Sequence, residues 1–389
     1  MEVSGLRHVS DAVMNITLVD RIIAFGCSRI SSSRIDLRKE CLIAWSTFNG
    51  EPSNENDLRC GTDYELVVVL PSLFGRVTTS RRRNQVQRVV DDLRSEIAAK
   101  REDKKYAVVS IVQCQNQLQV DQLIADISNS SGIVAAEGVD VIELVVFGSG
   151  KVLALNRVVS MLGGVVTYFG WVDDDVELHP ECISMMLNEL RTMPTPAAVG
   201  ARKMPHSSAD RISQVLKRAK AVVPSAMNYP HGCAMMVTFD VIEKGIPTKY
   251  DSDDGWVCFQ LLDPYQGDPL WRMKLVPGAR VTYTVGGRFR PTVLRLRRQR
   301  IGQILLAADA DPAKASAYFK NCFLEGMHFV PKSSGPTRVR LEQVIYSWIH
   351  TVLSFAVLME LLARGIIGRP LTHINWGSEP HRSLRTSSE

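Results

Sequence analysis

Four runs of apolar, largely β-branched residues punctuate the first half of the chain: Tyr64–Leu70, Tyr106–Val112, Val139–Phe147 and Val165–Val172. Each is short and nearly unbroken by polar residues, as in strands covered on both faces. Pro71 is expected to end the first of them. Between the runs the apolar spacing changes. Val86, Val89, Val90, Leu93 and Ile97 recur at helical intervals within the polar stretch Arg81–Lys100, which predicts an amphipathic surface helix. Val120–Ile127 and Lys151–Leu162 read as shorter helices. Ile22–Phe25 and Cys41–Trp45 read as short strands, and Gly50–Asn56 as a turn.

Strands alternating with helices predict an α/β domain whose central sheet is mostly parallel, with helices on both faces. Ligands in such sheets bind at the carboxyl ends of the strands. The expected organisation is an N-terminal appendage over residues 1–62, the α/β domain over 63–305 and a helical C-terminal extension over 306–389. Within that extension Val344–Ile367 is strongly apolar but interrupted by His350, Glu360 and Arg364. It is marginal as a membrane span, which needs about 20 mostly apolar residues. A packed or oligomer-forming helix, an interfacial anchor and a transmembrane helix all stay open.

Composition changes this picture little. At 45% hydrophobic and 22% charged residues the chain is of ordinary globular type. A net charge of +5 is too small to imply nucleic acid, which is not expected as a partner. The charge is unevenly spread: Arg280, Arg288, Arg290, Arg295, Arg297, Arg298 and Arg300 lie in a stretch without an acid. A phosphate-bearing ligand or an anionic lipid surface would suit it. The eight cysteines form no CxxC pair and read as reduced, buried thiols without a zinc site. Met1 to Asp20 lacks a basic flank followed by an apolar core, so a cytoplasmic setting is expected, with the inner face of a membrane as a candidate docking surface.

Two acidic segments carry the candidate chemistry. Asp173, Asp174 and Asp175 follow the last buried run directly. Adjacent carboxylates in such a place repel one another unless a cation sits among them. Residues one apart on an extended chain point the same way, so Asp173 and Asp175 can face one hard divalent cation together. An exposed acidic turn capping the helix near Pro180 is the plainer alternative. Further on, Asp253 and Asp254 precede an apolar helix. One can act as a general base toward a hydroxyl, or the pair can simply cap the helix.

The ordered segments Gly150-Lys-Val-Leu-Ala-Leu-Asn156, Tyr168-Phe-Gly-Trp-Val-Asp-Asp-Asp-Val-Glu-Leu-His-Pro180 and Tyr250-Asp-Ser-Asp-Asp-Gly-Trp256 resemble the core of family-two-type inverting glycosyltransferases, over about residues 64–302. The resemblance implies a GT-A-like nucleotide-sugar-binding fold and transfer of a sugar from a nucleoside-diphosphate donor to a hydroxyl on a glycan, lipid or small-molecule acceptor. It assigns Asp254 as catalytic base with Asp253 beside it, and Asp173 and Asp175 as ligands of Mg²⁺ or Mn²⁺. Pro71, Asn116, Lys151, Asn156, Asp173, Asp174 and Arg300 fall near the donor. Gly232, His231 and Trp256 fall near the acceptor.

The sequence departs from that pattern at three places. Gln113-Cys-Gln-Asn116 replaces an acidic residue that reads the base, though its amides could still bond one. Tyr283 stands where a metal-binding His is common. Ile301 follows Arg300 where a Trp is usual. Two rival readings therefore stay open, a nucleotidyltransferase and a non-catalytic membrane-associated scaffold. The former wants a Gly-rich basic loop after the first strand, and Leu70-Pro-Ser-Leu-Phe-Gly-Arg76 is a poor one.

Overall fold

The computed structural model describes residues 42–47 (backbone only), 63–100, 104–128, 133–134, 136–148, 150–162, 164–207, 230, 232–248, 250, 252–285 and 289–324, together with 344, 348, 351–352, 354–360 and 363. The chain builds one nine-stranded mixed sheet. Its strands are β1 (Leu42–Thr47), β2 (Tyr64–Leu73), β3 (Tyr106–Cys114), β4 (Val139–Phe147), β5 (Val166–Val172), β6 (Val176–Leu178), β7 (Ala198–Ser207), β8 (Ala234–Thr238) and β9 (Met273–Val285). The helices are α1 (Thr79–Lys100), α2 (Gln117–Ser128), α3 (Lys151–Met161), α4 (Cys182–Thr192), α5 (Asp253–Leu261), α6 (Phe289–Asp309) and α7 (Pro312–Tyr318).

The strand order is β1-β4-β3-β2-β5-β8-β7-β9-β6. Strands β4, β3, β2 and β5 are mutually parallel and are the four apolar runs of the sequence. They are buried on both faces because helices cover both. α3 and α5 close one core with Val67, Val69, Val109, Phe169 and Trp171. α1 and α4 close the other with Leu66, Val68, Leu70 and Val108. Beyond β5 the character changes, since β8 pairs antiparallel with both β5 and β7, and β9 runs parallel to β7. The parallel pattern expected for the sheet thus holds from β2 to β5 and again between β7 and β9, and the other pairings are antiparallel.

Pro71 does not end its strand. β2 continues to Leu73 in register with β3, pairing Pro71 with Ile111 and Leu73 with Gln113. The ladder with β5 runs only from Tyr64 to Val69. Past Val69, β2 has a neighbour on one side only, where a residue without an N–H is tolerated.

Close packing is visible at Gly170, where a Cβ would lie 2.8 Å from Met236 Cγ and 3.1 Å from the Met235 carbonyl. Any side chain there would push β5 and β8 apart. On the helical layer, Arg191 of α4 forms ion pairs with Glu65 of β2 at 2.7 Å and Glu96 of α1 at 2.5 Å. Tyr106 also donates to Glu65 at 2.9 Å. Burial opposes ionisation of Glu65, but Arg191, Tyr106 and Lys104 outweigh it and hold its pKa below the ordinary carboxylate value. Asp92 of α1 accepts from the backbone N–H groups of Glu181 and Ile183, capping α4 from a neighbouring element. The helix after Pro180 therefore takes its cap from α1, and the aspartates at 173–175 are not used for it.

Near the C-terminus, residues 354–360 are helical. Ser354 is buried and accepts from Arg300 of α6 at 3.0 Å, and Arg297 lies 3.5 Å from Glu360. Trp348, Val352, Phe355 and Met359 are exposed at intervals that place them on one helical face. Among the described residues no helix is long and apolar enough to cross a membrane.

Candidate functional site

The carboxyl ends of the four parallel strands converge on one acidic centre. β5 ends at Val172, and Asp173–Asp175 turn directly off it into β6. β4 leads through Gly148 and Gly150, both at positive φ, into α3. The Gln113 amide, at the end of β3, fixes that entry. Its Nε2 donates to the Gly150 carbonyl at 3.0 Å, and its Oε1 accepts from the Gly150 N–H at 3.1 Å. This places Lys151 at the first position of α3. The helix dipole disfavours a cation there.

What holds Lys151 in place is a ring of oxygens. Its Nζ lies 2.5 Å from Asp173 Oδ1 and 2.9 Å from Asp253 Oδ2, and donates to the Gly232 carbonyl at 2.7 Å. Burial pulls the ammonium toward neutrality, and the two carboxylates more than reverse this, so its pKa is raised and it stays charged. One ammonium cannot satisfy two carboxylates fully. Asp253 is pushed up to about 6, by burial first, with Lys151 opposing and Asp254 and Asp173 adding to the rise.

Arg76, in the turn after β2, serves the other two aspartates. Its Nε lies 3.3 Å from Asp174 Oδ1 and its terminal nitrogen 2.6 Å from Asp175 Oδ2. Asp174 is buried, and also accepts from Ser72 at 3.0 Å. Burial pushes it up to about 6 against the pull of Arg76. Gln85 of α1 clamps the turn through the carbonyls of Asp173 and Val176. Lys203 of β7 adds a further cation, its pKa lowered by burial but raised overall by Cys233, Asp254 and Asp173.

Asp254 is held differently from its neighbour. Oδ1 accepts from Ser252 at 2.7 Å and from the Gly255 N–H at 2.8 Å, while Oδ2 accepts from the Gly232 N–H at 3.0 Å. Ser252, in turn, is the residue that caps α5, accepting from Gly255 N. So the capping task falls on Ser252, and Asp254 keeps a partly exposed carboxylate beside Gly232. A Cβ on Gly232 would sit 3.2 Å from Asp253 Oδ2 and 3.3 Å from Lys151 Nζ. That position accepts only a glycine-sized residue without displacing the ion pair.

The structure thus gathers Lys151, Asp173, Asp174, Asp175, Gly232, Asp253 and Asp254 from four separate segments. The remaining expected site residues make other contacts. Asn156 exchanges two hydrogen bonds of 2.7 Å with the backbone of Ile246, so its amide braces a loop. Asn116 accepts from Gln119 N at 3.0 Å as the cap of α2. Pro71 is enclosed within β2. Arg300 is buried against Gln303 and Ser354. Trp256 is 8% exposed and packed in the core. His231 lies outside the described residues. Gln113 was named only for an amide that could bond the base, and Ser72, Arg76, Gln85 and Lys203 were not singled out as site residues. Only Arg76 carried a signal, as a lone basic residue just past a buried strand.

Five carboxylates face Arg76, Lys151 and Lys203, and this excess of negative charge suits a cation. Yet Asp173 and Asp175 diverge, one toward Lys151 and the other toward Arg76. Among the described residues no group of three His, Cys, Asp or Glu side chains is placed to hold a metal ion. The side chains as arranged do not form the ion site expected of Asp173 and Asp175.

No family model matches the sequence, and no curated protein does. Among solved structures, the chain is similar to a mannosyltransferase, PcManGT from Pyrobaculum calidifontis in complex with GDP-Man and Mn²⁺, at 14% identity and a TM-score of 0.43, covering 78% of this chain and 88% of that one. TarS residues 1–349 from S. aureus match at 12% identity and a TM-score of 0.36, over 78% and 92% of the two chains. A putative nucleotide-diphospho-sugar transferase from Desulfovibrio desulfuricans G20 matches at 9% identity and a TM-score of 0.28, over 77% and 98%. Likenesses this distant say nothing of the reaction.

Proposed function

We propose that the chain is a nucleotide-sugar-dependent glycosyltransferase of GT-A-like fold. One observation carries this reading: Lys151 joins the two acidic segments, Asp173 from the end of β5 and Asp253 from the start of α5, at the carboxyl edge of the parallel strands. That edge is where α/β sheets bind nucleotides. A leaving diphosphate there would meet Lys151, Arg76 and Lys203, cations that can offset its charge.

Asp254 is the better placed of the two candidate bases. Asp253 is buried against Lys151, whereas Asp254 is partly exposed and oriented by three donors. A hydroxyl acceptor within reach of Oδ2 would lose its proton to that oxygen as its own oxygen attacks the anomeric carbon. Attack from the face opposite the leaving diphosphate gives inversion. The acceptor itself, whether glycan, lipid or small molecule, is bound beside Gly232 on this reading. To hold Mg²⁺ or Mn²⁺, the carboxylates of Asp173 and Asp175 would have to turn toward each other.

The experiment is release of nucleoside diphosphate from a panel of nucleotide sugars, with and without Mn²⁺ or Mg²⁺. Asp254→Asn should reduce turnover by at least ~100-fold, the scale of a general-base contribution, while donor binding persists. Absence of both binding and release with every donor would overturn the reading. Binding without turnover would favour the scaffold alternative. The exposed stripe at Trp348, Val352, Phe355 and Met359 lies on a segment packed against the arginine-bearing α6. It supports peripheral contact with an anionic membrane surface.

A further inference from the structure

Apart from the acidic centre, a cavity opens beside Arg76. It has a volume of about 440 Å³ and lies between the start of α1 and the side of α2, lined among others by Phe74, Arg76, Thr79, Arg82, Leu123 and Asp126. Of these only Arg76 also touches the acidic centre. Lys151, Gly232, Asp253 and Asp254 take no part in the lining.

Arg82 is the anomaly. It is 4% exposed, and its Nε and one terminal nitrogen meet no hydrogen-bond acceptor among the described residues. Beside it, Arg83 pairs with Glu143 at 3.2 Å through one terminal nitrogen, and Arg81 donates to the Asp175 carbonyl. Burial lowers the Arg82 pKa, as expected of a cation without full compensation, with Glu143 opposing and Arg83 reinforcing. A buried guanidinium lacking acceptors is costly, and native proteins seldom keep one without a partner.

The backbone points the same way. The first turn of α1 holds Arg81 and Arg82, with Arg83 next, and no acidic residue, whereas the helix dipole favours negative charge there. Thr78 caps Arg81 N at 3.2 Å. The remaining first-turn N–H groups of a 22-residue helix still favour an anion. Asp126 is the opposing charge in the lining and accepts from Thr79 at 3.5 Å.

We infer that this cavity is an oxyanion-binding site, in which the Arg82 guanidinium takes a phosphate group at the start of α1. The planar fork suits a phosphate through paired N–H···O bonds. The cavity has room for more than the bare ion, so either free phosphate or the phosphate of a small organic monophosphate would meet the same recognition.

The test is isothermal titration of the full chain with inorganic phosphate and, separately, with glucose 6-phosphate, at constant ionic strength. Saturable binding should weaken at least ~10-fold in Arg82→Gln, the loss expected of a charged hydrogen-bonded pair, and partly recover in Arg82→Lys. Asp126→Asn should tighten it. Tighter binding of glucose 6-phosphate than of phosphate would place the source in an organic monophosphate, and equal binding in the free ion. Asp254→Asn should leave phosphate affinity unchanged. Should Arg82→Gln fold poorly, the Asp126→Asn arm still decides. Affinity unmoved by Asp126→Asn and Arg82→Lys, or lost in Asp254→Asn, would overturn the proposal, as would no saturable binding of either probe.

Discussion

Lys151 carries one positive charge and faces Asp173 and Asp253 at once, in a place from which water is largely excluded. Removing it would leave the buried Asp253 and the half-buried Asp173 without their counter-ion, a situation that costs about 3–5 kcal/mol where one partner of a buried pair is deleted. Lys151→Met should therefore lower the thermal midpoint strongly. Combining it with Asp253→Asn should recover part of the loss, because one uncompensated charge disappears. A double variant no more stable than the single one would mean that Asp253 is not the group Lys151 neutralises. The residue types at this centre were legible in the sequence: consecutive aspartates after a buried run have to be compensated. The identity of the compensating groups was not legible. Arg76 and Lys203 reach the aspartates across 97 or more and 30 residues of chain respectively, and nothing in local spacing marks such a meeting. Asn116 and Asn156 show the converse, since an amide that caps or braces looks in sequence like one that binds a ligand.

Elements were easier to read than contacts. The four apolar runs became β2 to β5 because unbroken β-branched sequence has little choice but a strand buried on both faces. The extension of β2 through Pro71 was hidden, because it depends on which neighbour ends first. The helical layer is tied to the sheet by Glu65, which reaches Arg191 of α4. Its pKa is depressed in the folded chain, so its contribution is present above the unfolded value of 4.5 and fades as pH falls through the folded value. Glu65→Gln should accordingly destabilise at pH 7 by about 2–4 kcal/mol, given its partly exposed partners. Denaturant titrations should find that deficit shrinking below pH 4.5. A deficit constant from pH 7 to pH 3 would show that packing, and not charge, is what Glu65 supplies.

At the scale of the whole molecule, the sheet divides its labour. The parallel half supplies the turns that carry Arg76, Gln113, Lys151 and the aspartates. The antiparallel strand β8 starts at the same edge and delivers Gly232 just before it. The C-terminal segment joins this body through Arg300 and Ser354 and turns Phe355 and Met359 outward. If that stripe meets an anionic lipid surface, Phe355→Ser with Met359→Ser should weaken sedimentation with phosphatidylserine vesicles by ~10-fold or more, two buried apolar side chains being worth roughly 1.5–3 kcal/mol each. Neutral vesicles should bind neither form appreciably. Equal sedimentation of both forms with anionic vesicles would remove the stripe from any role at a membrane. Sequence pattern found this apolar segment, but its orientation comes from which face α6 occupies.

The restraints on α3 have one further implication. The helix is fastened at its start by Gln113 and along its side by Asn156, each amide both giving and receiving a bond with the main chain. None of these four bonds involves a formal charge, so neither salt nor acid loosens them. The ammonium at the head of the helix sits among carboxylates whose ionisation can change. Placement and polarity are thus governed separately: a ligand or a proton can rewrite the electrostatics of the centre while the rod that presents Lys151 stays where it is.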